Sequence, residues 1–195
     1  MKALEAIQAE QAGDEKIAGL VAGGDIELFG ELIKRYEPKL FRYARKFLSD
    51  SDDIKDVVQK IFLKVYENIQ SFDVSRRFSP WIYRIAHNEL VNSLKEKQKR
   101  ALPLFDLDTF LPRFPFASSL SEQMENGELK EVLNECLDQL QPKYKEPIIL
   151  YYLEGLAYKE VAEVLQVPLA TVGVIIKRAK ALLKSLYQNH KKVYG

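Results

Sequence analysis

Apolar residues return every three or four positions through most of the chain. Ile26, Phe29, Leu32, Ile33, Tyr36, Leu40, Tyr43, Ala44, Phe47 and Leu48 hold this period, which places them on one face of a helix. Asp25 stands at the expected cap of that helix, and Pro38 inside it predicts a kink or a division. Upstream, Lys2 to Gln11 is amphipathic at best, and Ile17 to Val21 predicts a turn or two of helix stopped by Gly23-Gly24. Downstream, Ile54, Val57, Val58, Ile61, Phe62, Val65, Tyr66 and Ile69 form a second stripe, capped by Asp52 or Asp53. Trp81, Ile82, Ile85, Ala86, Glu89 and Leu90 form a third, with Pro80 in its first turn, where a missing N–H costs nothing. Three or four such helices with short connections predict a small bundle.

Between Glu96 and Glu125 the period fails. Pro103, Pro112 and Pro115 alternate with Leu104, Phe105, Leu107, Phe110, Leu111, Phe114 and Phe116, a composition that predicts an extended linker. Its apolar residues are too many for a purely solvated tether: they dock on the protein's own domains or occupy a partner's channel. From Glu128 the helical period returns in Leu129, Val132, Leu133, Leu137, Leu140, Tyr144, Ile148, Ile149, Tyr152 and Leu153, and Gly155 ends it. Lys159 to Leu165 predicts a short helix, Gln166-Val167-Pro168 a tight turn, and Pro168 opens a last helix to about Tyr187. Two helices joined by so short a turn, the second ending basic, predict a helix-turn-helix. No strand-like alternation occurs, so the expected fold is all-α: two small helical domains joined by an extended linker. The boundaries read as an N-terminal segment at 1–13, a helical domain at 14–96, the linker at 97–127, a helix-turn-helix domain at 128–190 and a tail at 191–195.

The richest chemistry lies between Phe72 and Lys95. Phe72, Phe78, Trp81 and Tyr83 share this stretch with Arg76, Arg77, Arg84, His87 and Asn88. Aromatics at helical spacing serve a core, and arginines on the other side serve as a solvated face; the same set also suits a single-stranded nucleic acid, with cations for phosphates and ring faces for bases. On the last helix Val172, Ile176, Ala179, Leu183 and Leu186 fall within about a third of the circumference, which makes them core. Ala170, Thr171, Gly173, Val174, Lys177, Arg178 and Lys184 then project outward. In a DNA-binding helix-turn-helix, such residues meet base edges at the N-terminal end and phosphates further along. The same motif also occurs as a plain packing unit.

Charge sharpens this picture through its distribution. The 195 residues carry a net charge of +1, yet no acid occurs from Leu169 to Gly195, Lys34 to Lys46 is basic, and Asp106 to Glu131 leans acidic. Cys136 is the sole cysteine, and His87 and His190 are isolated, so neither a disulfide nor a metal cluster is expected. There is no nucleophile–base pair and no phosphate loop, so neither catalysis nor a cofactor is expected. MKALEAIQAE lacks the apolar core of a signal peptide, and no apolar run approaches the roughly 18 residues of a membrane span. A cytoplasmic protein is expected.

In order and spacing, four stretches resemble one family: GDIELFGELIKRYEPKLFRYARKFL, DIKDVVQKIFLKVY, FSPWIYRIAHNELVNSLK and LDQLQPKYKEPIILYYLEGLAYKEVAEVLQVPLATVGVIIKRAKALL. The chain is similar to the small two-domain sigma factors of bacterial RNA polymerase, the extracytoplasmic-function (ECF) group. The resemblance implies a non-enzymatic subunit that binds the polymerase core and directs promoter recognition and melting. It implies that Asp56, Gln59 and Phe62 dock on the clamp of the largest polymerase subunit. Phe72, Arg76, Arg77, Phe78, Trp81, Arg84, His87, Asn88 and Asn92 would capture the −10 element. Lys159, Ala170, Thr171, Gly173, Val174, Lys177 and Arg178 would read the −35 element, and the linker would thread the polymerase. An anti-sigma factor is an implied partner. The chain departs from the family at Lys55 and Lys60, where acids are common; at Asn92, for Asp; at Gln166, for a turn glycine; and at Gly173-Val174-Ile175, where Lys, Ser and Arg are usual. Two other readings stay open: a sigma-like protein that acts by titrating an anti-sigma factor, and a stand-alone helix-turn-helix regulator.

Overall fold

The computed structural model describes residues 12–101 and 127–194, and every regular element among them is a helix. These are α1 (Asp14–Ala22), α2 (Phe29–Ala44), α3 (Ser51–Asn68) and α4 (Phe78–Ala101), then α5 (Gly127–Asp138), α6 (Pro142–Ile148), α7 (Tyr158–Leu165) and α8 (Leu169–Tyr194). Contacts divide the chain into two units, Met1–Pro103 and Leu104–Gly195. The expected amphipathic Lys2–Gln11 and the apolar residues from Leu104 to Phe116 lie outside the described residues.

In the first unit α3 packs against both α2 and α4, and α1 crosses α2 and the 3-10 turn Ile69–Ser71. The core takes Leu32, Tyr36, Leu40 and Tyr43 from α2, Ile54, Val57, Ile61 and Val65 from α3, and Phe78, Ile82, Ala86 and Leu90 from α4. Each set repeats at three or four, the periodicity that predicted the helices. Several local expectations shift. Asp25 caps no long helix; it precedes a 3-10 turn at Ile26–Leu28, and α2 starts only at Phe29. Asp50, not Asp52 or Asp53, caps α3: its carboxylate accepts from the Asp52 and Asp53 N–H groups at 2.9 and 3.1 Å. Those two bonds hold the Asp50 carboxyl below its usual range, and Asp52 and Asp53 instead face the positive end of the helix dipole. Pro38 does not divide α2. It is exposed, as is Lys34 one turn earlier, so the ladder bond it cannot make is on the solvent side. α4 runs through to Ala101, because Lys95 to Ala101 are good helix formers with no proline or glycine among them. Lys97 near its end pairs with Asp53 in the first turn of α3.

In the second unit α8 is the spine, and α5, α6 and α7 each pack on it. Val172, Ile176 and Ala179 have no exposed surface and face Ile149, Leu150, Leu156, Val161 and Val164 in the same core. The apolar stripe read before Gly155 is only partly internal: Leu129, Leu133, Tyr152 and Leu153 are exposed. For the last two the cause is backbone geometry. α6 continues into a π turn, Ile149–Leu153, in which the Glu154 N–H donates to the Ile149 carbonyl at 3.1 Å. The wider turn changes the angular phase of the residues that follow.

Lys145 is buried in this unit, with its ammonium 2.7 Å from an Asp138 carboxylate oxygen. Burial pushes the Lys145 pKa down, and Asp138 offsets part of that. Asp138→Asn is therefore expected to cost about 3 kcal/mol at neutral pH by removing the carboxylate that offsets a buried charge. The proton-linked part of this loss lasts only while Lys145 is charged in the folded protein, so it recedes as pH rises from neutrality to the lowered pKa, short of 10.5. Denaturation midpoints of both proteins across that window measure it.

Gln166, in the turn between α7 and α8, sits at φ 56°, the left-handed region that a side chain resists. Gln166→Gly is expected to raise stability by roughly 1 kcal/mol, read as a higher melting temperature with the turn unchanged.

Candidate nucleic-acid interface

The stretch from Phe72 to Trp81 is ordered from three directions. Asp73 closes a tight turn, accepting from the Ser75 N–H at 2.9 Å and the Ser75 hydroxyl at 2.7 Å. Those donors hold the Asp73 carboxyl below its usual range. The turn leaves Arg76 and Arg77 exposed.

Beneath the turn lies an aromatic stack. Phe72, Phe78 and Trp81 form a triangle with ring centroids 5.2–5.5 Å apart, and Tyr36 closes on Phe78 at 5.3 Å. Phe72 and Phe78 are buried, Phe78 completely, which fits the core reading of these aromatics and makes them support beneath the surface. Trp81 is half-buried, in ring contact with both Phe72 and Phe78. The core line of α4 is also rotated from the predicted one. Phe78, Ile82, Tyr83, Ala86 and Leu90 face inward, while Trp81, Ile85 and Glu89 flank them. At about 100° per residue this aligns Trp81, Arg84, Asn88 and Asn92 on the outer stripe. Arg84, Asn88 and Asn92 are exposed there, and His87 is half-buried at its edge.

The third support is α1, whose role sequence reasoning missed. The Glu15 carboxylate accepts from the Phe78 N–H at 2.9 Å, satisfying a donor at the start of α4. Asp14 accepts from the Tyr36 hydroxyl at 2.7 Å and from the Arg35 guanidinium at 2.8 Å, and the Tyr36 and Ser79 hydroxyls lie 3.1 Å apart. Burial, then the Asp14 bond, pushes the Tyr36 hydroxyl well above its ordinary pKa of 10.0, so the stability it adds is present below pH 10 and lost only at higher pH. In the sequence Asp14-Glu15 reads as an ordinary acidic first turn, which conceals a tertiary cap.

On α3, Asp56 and Gln59 are exposed on one stripe. Phe62 is largely covered, its ring edge-on to Phe29 at 6.5 Å. The apolar group beside Asp56 and Gln59 is instead Leu63, which is 62% exposed, with Tyr66 nearly one turn on. Leu63 was visible in the sequence as a leucine out of phase with the buried stripe. Lys55 pairs with Asp52 and Lys64 with Glu67, which tempers the basicity of this surface.

On the second unit, Lys159, Ala170, Val174, Lys177 and Arg178 are exposed and Thr171 and Gly173 are half-buried, so the structure presents this set along the helix-turn-helix. The Thr171 N–H donates to the Pro168 carbonyl at 2.9 Å, which starts α8 directly after the turn. The Glu160 carboxylate accepts from the Ala157 N–H at 2.7 Å and fixes the start of α7. Among the described residues no group of three metal-ligating side chains converges, and no helix is long and apolar enough to cross a membrane.

Comparison with known proteins matches a region in each unit. Sigma-70 region 2 matches residues 32–100 and Sigma-70 region 4 matches residues 130–183. The ECF RNA polymerase sigma-E factor of Haemophilus influenzae is 31% identical, over 92% of this chain and 98% of its own; that of Escherichia coli K12 is 30% identical, over 92% and 97%. Among solved structures, CnrH in complex with the cytosolic domain of CnrY aligns with a TM-score of 0.66 at 26% identity, covering 90% of this chain and 97% of CnrH. With both regions present in order and relatives matched over nearly their whole length, the chain belongs to the ECF RNA polymerase sigma factors of the sigma-70 family, non-enzymatic subunits that act in transcription initiation.

Proposed function

We propose that the two units divide promoter recognition between them. The N-terminal unit, residues 14–96 with the rest of α4, docks on the clamp of the polymerase core through Asp56 and Gln59, with Leu63 joining Phe62 as the apolar contact. Its second surface holds the melted strand of the −10 element: Trp81 offers a ring face, Arg76, Arg77 and Arg84 meet phosphates, and Asn88, Asn92 and His87 reach base edges. Phe72 and Phe78 set the height and tilt of Trp81 from below. The C-terminal unit lays α8 on the −35 element, with Lys159, Lys177 and Arg178 on phosphates. The protein works beside the chromosome, in the cytoplasm.

One observation carries this reading: Trp81 is half-open above a buried aromatic support and lines up with Arg84, Asn88 and Asn92 on a single helix stripe. Stacking on such a ring supplies about 1–3 kcal/mol per base, enough to offset the unstacking of a flipped nucleotide. The test is in vitro transcription with core polymerase on the DNA upstream of the protein's own gene. Promoter-specific transcripts that are lost with Trp81→Ala, while core binding persists, support it. Full activity of that variant overturns it.

A second reading, in which the chain also binds an anti-sigma factor, is favoured by its likeness to CnrH, which was solved with CnrY. Co-purification of a cytosolic anti-sigma fragment with the full chain, blocking its association with core, tests it.

A further inference from the structure

The leading face of α8 has no long polar side chain in its first two turns. Leu169, Ala170 and Val174 are exposed, Val174 by 49%. A Cβ built on Gly173 would meet only the Tyr158 ring, at 3.9 Å, so packing does not require the glycine. At about 100° per residue Ala170, Val174 and Lys177 fall on one line. Lys177 and Arg178, one turn past Val174, are exposed, as is Lys184 further along. With a rise of 1.5 Å per residue, Lys177 lies about 5 Å along the axis from Val174, within reach of the wall of a groove roughly 12 Å wide.

An apolar tip followed by cations is mismatched to most base edges. Adenine and guanine present hydrogen-bonding groups to the major groove that would lose water against Val174 and gain nothing, whereas thymine presents a C5 methyl. A protein partner would also cover apolar residues. The run from Leu169 to Gly195, however, contains no acid, and exposed cations directly follow the apolar tip, which complements a polyanion.

We infer that α8 reads its duplex element through thymine methyl groups, with Val174 as the specificity-determining contact, the Thr171 hydroxyl as the side-chain hydrogen-bonding group of these first two turns, and Lys177 and Arg178 on the flanking phosphates. This rests on α8 being the reader of the upstream element, as proposed above.

The test uses holoenzyme assembled from the full chain and core polymerase. A duplex pool randomised upstream of a fixed −10 region is selected for binding, and the enriched element is resynthesised with deoxyuridine for thymidine, which deletes only the methyls. Affinity is expected to fall about threefold to fourfold per contacted thymine. Val174→Ala is expected to lose a similar factor on thymine DNA and little more on uracil DNA, because the two changes remove the same contact. Lys177→Ala is expected to weaken both duplexes equally and to lower the salt dependence by about one counterion. Equal binding of thymine and uracil duplexes, or equal losses on both with Val174→Ala, overturns methyl reading while leaving α8 as the upstream reader. A selection that enriches no upstream element overturns that assignment, and the methyl reading with it.

Discussion

Phe78→Ala is expected to destabilise the N-terminal unit by about 3–5 kcal/mol, because the ring has no exposed surface and three aromatic neighbours. For a unit of this size the melting temperature falls by roughly 15–25 °C. Trp81 is the only tryptophan, so its fluorescence follows this unit independently of the other. The contrast with Trp81→Ala is the informative part. Trp81 is half-open and its removal leaves the buried pair in place, so stability should fall far less while strand opening is lost. Circular dichroism follows unfolding of that variant, and a permanganate footprint on promoter DNA follows opening. If the two substitutions cost similar stability, Trp81 belongs to the core and its place in strand capture fails.

Asp56→Ala and Leu63→Ala should each weaken association with core polymerase by about 30-fold, near 2 kcal/mol, if they form the centre of the docking surface. Both side chains are exposed, so neither change should move the melting temperature by more than a degree or two. That separation is not available at Phe62: the ring packs on Phe29, and its removal would unsettle the fold as well. A fluorescence titration of labelled protein with core reads the affinity, and a thermal melt of the same sample reads the fold. Unchanged affinity for both variants would move the docking surface elsewhere on the unit.

The sequence displayed the helices because their buried residues obey a period, and a period survives without knowledge of partners. It also displayed the helix-turn-helix, since a short turn between two periodic segments permits few other arrangements. It was weaker where one residue can serve two environments. An aromatic at helical spacing can be buried like Phe78 or half-open like Trp81, and only the rotation of α4 against α2 and α3 separates them. Asp50, Asp52 and Asp53 are equivalent as letters, and the one that caps is decided by where the backbone turns. Glu15 satisfies a donor 63 positions away, a pairing no local pattern encodes. Leu63 was legible in principle, since an exposed leucine among Asp56, Gln59 and Lys60 breaks the stripe, but its prominence depends on how fully Phe29 covers Phe62.

The bond between Lys97 and Asp53 ties the far part of α4 to the first turn of α3, one turn before Asp56. α4 is itself an unbroken rod of 24 residues, about 36 Å long, that begins at the aromatic stack. The stripe proposed for docking and the ring proposed for strand capture thus sit on one braced pair of helices. If the polymerase grips Asp56 as proposed, the orientation of Trp81, and of a nucleotide seated on it, follows from that grip through two braced helices.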